Sequence, residues 1–160
     1  MTLVARVQIE SEFQLLKLES AKRIAAINEH FRNLRFEARV ELAENLKKVS
    51  SLYQNCMAPI KQARTQLWLE KCSIERAIPF DADALAKNRA ESVELKHQGA
   101  VYTAKLDADI KALKREYRLK KQSLVNEENA QLLAVKDDIT RRRTNLMFQL
   151  AQLAGKGGEE

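Results

Sequence analysis

The sequence predicts an all-α protein whose fold is a long, coiled-coil-like antiparallel two-helix hairpin. Three observations favour this fold. Gly and Pro supply only 4 and 2 of the 160 residues, and chains need these residue types to turn corners. Ala, Leu, Glu, Lys, Arg and Gln, which are good helix formers, dominate the rest. Apolar residues also recur at helical spacing in both halves of the chain, on either side of a central proline.

The first arm of the hairpin is predicted over about residues 3–77. An apolar stripe runs from Phe13 to Leu67 in steps of three or four residues, so its members share one face of a single helix. The mean step is about 3.6, which favours nearly straight helices over a left-handed supercoil. Pro59 lies in this arm and is expected to kink the helix or to split it into 3–58 and 60–77. The stripe consists of Phe13, Leu16, Ser20, Ile24, Ile27, Phe31, Leu34, Ala38, Leu42, Leu46, Val49, Tyr53, Cys56, Ile60, Ala63 and Leu67.

The connection between the arms is predicted over residues 78–81. Pro79 cannot continue a helix, and it pushes Ile78 towards extended geometry. Asp81 or Asp83 can then cap the next helix, whose positive N-terminal end favours acidic groups. A short connection between two long helices favours an antiparallel hairpin.

The second arm is predicted over about residues 82–154, which completes a single hairpin domain of residues 1–154. Gly155 is predicted to stop the helix, and residues 155–160 are expected to form a flexible tail. The apolar stripe of this arm again has a mean step of about 3.6, but several of its positions are polar. It consists of Leu95, Gly99, Tyr102, Leu106, Ile110, Leu113, Tyr117, Lys120, Leu124, Glu128, Gln131, Val135, Ile139, Arg142, Leu146, Leu150 and Leu153.

Blocks of opposite charge predict how the two arms are aligned. If Ala77 lies opposite Asp81, then residues whose numbers add to about 158 face each other. Each exposed ion pair stabilises little, but charges beside a helical seam select partner and orientation. The predicted facing groups are Asp137 and Asp138 with Lys22 and Arg23; Glu127 and Glu128 with Arg32; Arg141–Arg143 with Glu12 and Glu19; Asp109 with Lys48; Glu94 with Arg64; Gly99 with Pro59; and Lys114, Arg115, Arg118 and Lys121 with Glu37, Glu41 and Glu44.

Two other arrangements are compatible with parts of this pattern. In an open form the arms would separate and pair with other copies, because a swapped dimer keeps the antiparallel alignment. A compact four-helix bundle would need bends near residues 40 and 120, where no Gly or Pro is found.

The sequence contains no motif of a known catalytic, metal or cofactor site. His30 and His97 are the only histidines and are far apart in the predicted hairpin, and Cys56 near His97 lacks further metal ligands. We therefore expect no enzyme activity, cofactor, metal or small-molecule substrate. Cys56 and Cys72 are too far apart on one helix for a disulfide, which favours reduced thiols.

No segment resembles a signal peptide or a membrane span, so no membrane contact is expected. The predicted location is the cytoplasm, or the inside of a virion or other assembly.

Three groups of residues are candidate interaction sites. The first is an apolar cluster at the tip of the hairpin, where Leu67, Trp68 and Leu69 cannot all face the second arm. This cluster either forms a contact site for a partner or covers the end of the hairpin. The second is a set of apolar residues predicted beside the first-arm seam. Two helices bury only a narrow apolar stripe each, so these additional apolar residues favour a larger helical bundle or a permanent partner. The tip residues are Trp68, Leu69, Ile78 and Phe80, and the face residues are Leu15, Leu18, Phe36, Val40 and Leu52.

The third group consists of the basic clusters 111–121 and 141–143. The net charge of +6 allows an acidic partner without requiring one. These residues either bind a nucleic acid or acidic protein, or simply face the acidic blocks of the first arm. They include Lys114, Arg115, Arg118, Lys121, Arg141, Arg142 and Arg143.

From these patterns we expect a non-enzymatic, elongated helical component of a multi-protein assembly, with a structural or adaptor role. Its partners would be further copies of itself or other helical proteins, bound through the apolar faces and the hairpin tip. The alternative is a nucleic-acid-associated accessory protein that uses the basic clusters.

Overall fold

The computed structural model describes residues 2–156, with side chains described for 3–155. It contains two helices, α1 (Thr2–Arg76) and α2 (Ala82–Lys156), which pack against each other. The described residues contain no strand, so the predicted all-α hairpin is confirmed. The helix α2 continues through Gly155 to Lys156, past the predicted stop, and residues 157–160 lie outside the described residues.

Pro59 does not split α1, which is helical from Thr2 to Arg76. A proline inside a helix cannot bond to the carbonyl group four residues earlier, here that of Asn55. Both residues are exposed, so water can hydrate this carbonyl group, and the helix continues past the proline.

The connection between the helices comprises residues 77–81. Asp81 caps α2, because its side-chain Oδ1 accepts hydrogen bonds from the backbone N–H groups of Asp83 (3.1 Å) and Ala84 (3.0 Å). Of the two predicted capping residues, Asp81 is therefore the cap. The Ile78–Pro79 peptide bond is cis.

The contacts divide the chain into two compact units, each containing a part of both helices. Unit 1 combines the chain up to Ala38 with the chain from Leu119 onward. Phe31 is only 1% exposed and is the largest fully buried side chain among the described residues. Of the predicted α1 stripe in this unit, only Ile24 is exposed. The buried apolar residues of unit 1 are Ile9, Leu16, Phe31, Ala38 and Val135.

Ion pairs between the helices fix their alignment in unit 1. Arg23 pairs with Asp138 at 2.7 Å, and Arg142 binds Glu19 through two hydrogen bonds of 2.7 and 2.9 Å. Both pairs were predicted. Glu128 pairs with Arg35 instead of the predicted Arg32, which is a displacement of about one helical turn.

Unit 2 runs from Arg39 to Arg118 and includes the connection between the helices. Its buried apolar residues are Met57, Ile60 and Leu67. Gly99 is also buried, and a Cβ built on it would lie 3.5 Å from Met57 and 4.0 Å from Ile60. The predicted position of Gly99 opposite Pro59 is thus close to the observed one.

The described contacts of unit 2 include two polar contacts between the helices. The hydroxyl groups of Tyr53 and Thr103 lie 3.2 Å apart. The side chain of Asn88, which is buried, donates a 2.9 Å hydrogen bond to the backbone carbonyl of Leu67. The sequence placed Lys48 opposite Asp109 and Arg64 opposite Glu94. Among the described residues, no ion pair joins either of these pairs.

Candidate interaction surfaces

The apolar residues at the tip of the hairpin are exposed. Ile78 is 98% exposed and Trp68 is 62% exposed, while Leu69 and Phe80 are each more than half exposed. Trp68 and Leu69 follow the buried Leu67, so the helix turns both of them away from the seam. These residues therefore do not bury themselves over the end of the hairpin, and they are accessible to a partner.

The apolar residues of α1 in unit 1 form a face that points away from α2. Leu18 and Phe36 lie two and five residues after the buried Leu16 and Phe31, which places them roughly opposite the seam. Leu15 lies one turn before Leu18. The sequence placed all three residues beside the seam; Leu15, one residue before the buried Leu16, lies about a quarter of a turn from it, whereas Leu18 and Phe36 lie further away than expected. We name the exposed residues Val4, Val7, Leu15, Leu18 and Phe36 the outer apolar face.

The remaining two predicted face residues lie in unit 2. Val40 is exposed, and Leu52 is exposed beside a shallow groove that also contacts Cys56 of α1 and Tyr102 and Asp109 of α2. Leu52 therefore does lie beside the seam, as expected.

A larger groove lies between the helices in unit 1. Its volume is about 630 Å³, and its lining is mostly apolar, including Phe13, Met147 and Leu150. Lys17 and Arg143 add two positive charges to the lining. Sequence analysis did not find this groove, because stripes on separate helices do not show where the two helices leave a gap.

The cluster 141–143 is partly engaged in ion pairs. Arg142 binds Glu19, and its hydrogen bonds hold the pKa of the Glu19 carboxyl group below its ordinary range. The pKa of the Arg142 guanidinium group is raised by the same contact. Asp138 accepts hydrogen bonds from Arg23 and Arg141, of which the Arg23 bond contributes most to lowering its pKa. The expectation that this cluster faces acidic residues of the first arm is therefore met for Arg142.

The cluster 111–121 differs from the cluster 141–143. Lys114, Arg115 and Arg118 are exposed and have no hydrogen-bond or ion-pair partner among the described residues, so they do not pair with the acidic residues that were predicted to face them. Lys121 is also exposed and has no such partner. These positive charges are available to another molecule.

A second groove lies between the helices in unit 2, close to the tip. Its volume is about 360 Å³. Leu67 is buried beneath it and Leu95 is half-buried, while Glu70, Glu91 and Glu94 supply three negative charges. Ala63 and Gln66 complete the lining. We name this site the acidic groove; sequence analysis did not identify it.

Neither helix has, within the described residues, a stretch that is long and apolar enough to span a membrane. In the same part of the chain, no three His, Cys, Asp or Glu side chains are grouped as metal ligands. Cys56 and Cys72 are free and half-buried. The chain matches no protein-family model, and comparisons with curated proteins and with solved structures give no match.

Proposed function

We propose that this protein is a non-enzymatic helical component of a multi-protein assembly, with a structural or adaptor role. It would act in the cytoplasm, or inside a virion or other assembly, and bind helical partners through its outer apolar face and its tip.

The observation that carries this proposal is the outer apolar face. Val4, Val7, Leu15 and Leu18 follow one another at roughly helical spacing on the exposed side of α1, and Phe36 lies five turns further along. These side chains are exposed, so they do not contribute to the packing of α1 against α2. Adjacent exposed apolar residues are typical of a surface that another protein covers. The exposed Trp68 at the tip adds a residue type that is enriched in binding hot spots.

The test compares Leu15→Glu/Leu18→Glu with a control, Asn28→Glu/Asn33→Glu. The control adds the same charge at exposed polar positions of the same helix. Molar mass by light scattering and cross-links formed in the native host should both change in the first variant alone. Helicity by circular dichroism should be similar in both variants. If the masses and cross-links of both variants match those of the unmodified protein, the outer apolar face is not a binding surface.

A second candidate function is binding of nucleic acid, favoured by the unpaired Lys114, Arg115 and Arg118. Binding to phosphates would weaken steeply as salt is added, because it releases counterions. Lys114→Glu/Arg118→Glu should abolish binding to a labelled single-stranded RNA. Lys87→Glu/Lys105→Glu, which reverses two other exposed lysines of α2, should reduce it much less. Absence of binding at low salt would rule out this function.

A further inference from the structure

The two sides of unit 2 carry opposite charges. Tyr53 lies at the seam, where it also lines the shallow groove, and its hydroxyl group lies 3.2 Å from that of Thr103, which marks one side of the seam. Residues at whole numbers of helical turns from these two residues lie on the same side. Most charged residues at those positions are basic. Of these basic residues, all but Lys71 are exposed and have no ion pair among the described residues. We name this set the basic edge; it comprises Arg39, Lys61, Arg64 and Lys71 on α1, and Arg89, Lys96, Lys111, Lys114 and Arg118 on α2.

Few acidic residues interrupt the basic edge. Glu75 is bound to Lys71 at 3.8 Å, which neutralises one positive charge. Asp107 lies one turn after Thr103. The nine basic residues of the edge therefore exceed its two acidic residues by a wide margin.

The opposite side of unit 2 contains the acidic groove. Glu94 lies nine residues before Thr103, which is half a turn around α2, and Glu91 lies one turn before Glu94. Glu70 contributes the third carboxylate from α1. Further along this side, the shallow groove near Leu52 has both Asp109 and Lys105 in its lining, so the negative charge is concentrated at the acidic groove.

Trp68 lies on the side of the basic edge. Arg64 precedes it by one turn and Lys71 follows it by three residues, so both basic residues are its neighbours on the surface of α1. The acidic groove occurs at the same level of α1, since Gln66 and Glu70 are each two residues from Trp68. An apolar ring among positive charges on one side thus has a counterpart on the other side, an apolar groove among negative charges.

We propose that unit 2 binds a second copy of this chain, with Trp68 and the basic edge of one copy seated against the acidic groove of the next. This inference rests on the proposed role in an assembly and names the partner. Two different surfaces meet, so the interface is heterologous, and each copy keeps one free edge for a further copy. Burying the indole over Leu67 and Leu95 supplies the apolar contact, and the flanking charges fix the orientation.

A second copy fits these observations better than a nucleic acid does. The basic edge alone would suit a polyanion, but a polyanion leaves the acidic groove and the exposed indole at its level unexplained. A copy of the same chain accounts for both sides at once.

The test uses charge reversal in the full chain. Arg64→Glu/Arg89→Glu places two negative charges near Trp68 on the basic edge, and Glu70→Lys/Glu91→Lys leaves Glu94 as the one acidic residue in the lining of the acidic groove. Analytical ultracentrifugation at low salt should show that the unmodified protein self-associates and that each variant alone does so at least tenfold more weakly. An equimolar mixture of the two variants should associate again, because opposite sides then meet.

Trp68 reports on the interface directly, since it is the only tryptophan. Its fluorescence should shift to shorter wavelength as the copies associate, and Trp68→Ala should weaken the association. The control Lys47→Glu/Arg115→Glu reverses two exposed basic residues of unit 2 that belong neither to the basic edge nor to a groove. It changes the net charge by as much as Arg64→Glu/Arg89→Glu does and should leave association intact.

Three results would each overturn the inference. One is a monomeric unmodified protein at every concentration tested. Another is a mixture of variants that associates no better than either variant alone. The third is a chain that stays monomeric and uses its basic edge only to bind single-stranded RNA. The proposed function and this inference are tested independently. The test of the proposed function changes residues of unit 1, and the apolar contact that it examines is insensitive to salt.

Discussion

Two phenylalanines on α1 in unit 1 allow a direct comparison of burial. Phe31 is 1% exposed and Phe36 is 65% exposed. Phe31→Ala removes a fully buried ring and leaves a cavity, which costs about 3 to 5 kcal/mol in well-packed cores. Phe36→Ala removes a ring that is already mostly in water, so about 1 kcal/mol or less is expected. The higher helix propensity of Ala offsets part of either loss by about 0.5 kcal/mol.

The assay is urea unfolding followed by far-ultraviolet circular dichroism, at a protein concentration where light scattering reports a monomer. The free energy of unfolding should fall by at least about 2 kcal/mol more for Phe31→Ala than for Phe36→Ala. Equal losses in the monomer would refute the assignment of Phe31 to the core and of Phe36 to the outer apolar face. If the loss of stability caused by Phe36→Ala grows at higher protein concentration while the loss caused by Phe31→Ala does not, assembly buries the Phe36 ring.

Three further predictions concern the seam and its ion pairs. Gly99→Ala should raise the free energy of unfolding by about 0.5 to 1 kcal/mol, because alanine favours the helix and its methyl group meets only ordinary contacts; a lower melting temperature would contradict this. Asn88→Asp should lower the same free energy by about 1 to 3 kcal/mol at neutral pH, since a carboxylate would face the carbonyl of Leu67 where an amide donates now, and Asn88→Ala should cost less. The pKa values of Glu19 and Asp138 are lowered in the folded chain, so the unfolded chain binds protons more readily than the folded one. The stabilisation from these two carboxylates is therefore complete near neutral pH and is lost as the pH falls below about 4.5. Unfolding curves from pH 7 to pH 3 should show this loss, and Glu19→Gln should reduce it.

The sequence was sufficient to predict the helices and the connection between them. Apolar residues at 3.6-residue spacing fix which face is buried, and Pro79 with Asp81 fixes where one helix ends and the next is capped. Local chemistry decides these features. The alignment of the helices was predicted only to about one turn, because a charge placed three or four residues further along serves nearly as well. Glu128 illustrates this, as it reaches Arg35 instead of Arg32.

The candidate surfaces were harder to predict from the sequence. Asn88 lies seven residues before Leu95, on the continuation of the apolar stripe, so its seam position could have been recognised; its bond to a backbone carbonyl could not. The charge difference between the two sides of unit 2 was also missed. Finding it requires the angular position of each charged residue relative to the seam on both helices together, and a search for clusters along one helix does not provide that.

The five-residue connection between the helices also bears on how the chain folds. Near it, Asn88 and Leu67 are 21 residues apart in sequence, whereas Arg142 and Glu19 are 123 apart. Closing a long loop costs more entropy than closing a short one, so the contacts beside the connection are the easiest to nucleate. Each contact then shortens the loop that the next must close. Substitutions near the connection should therefore slow folding, and those near Glu19 should mainly speed unfolding.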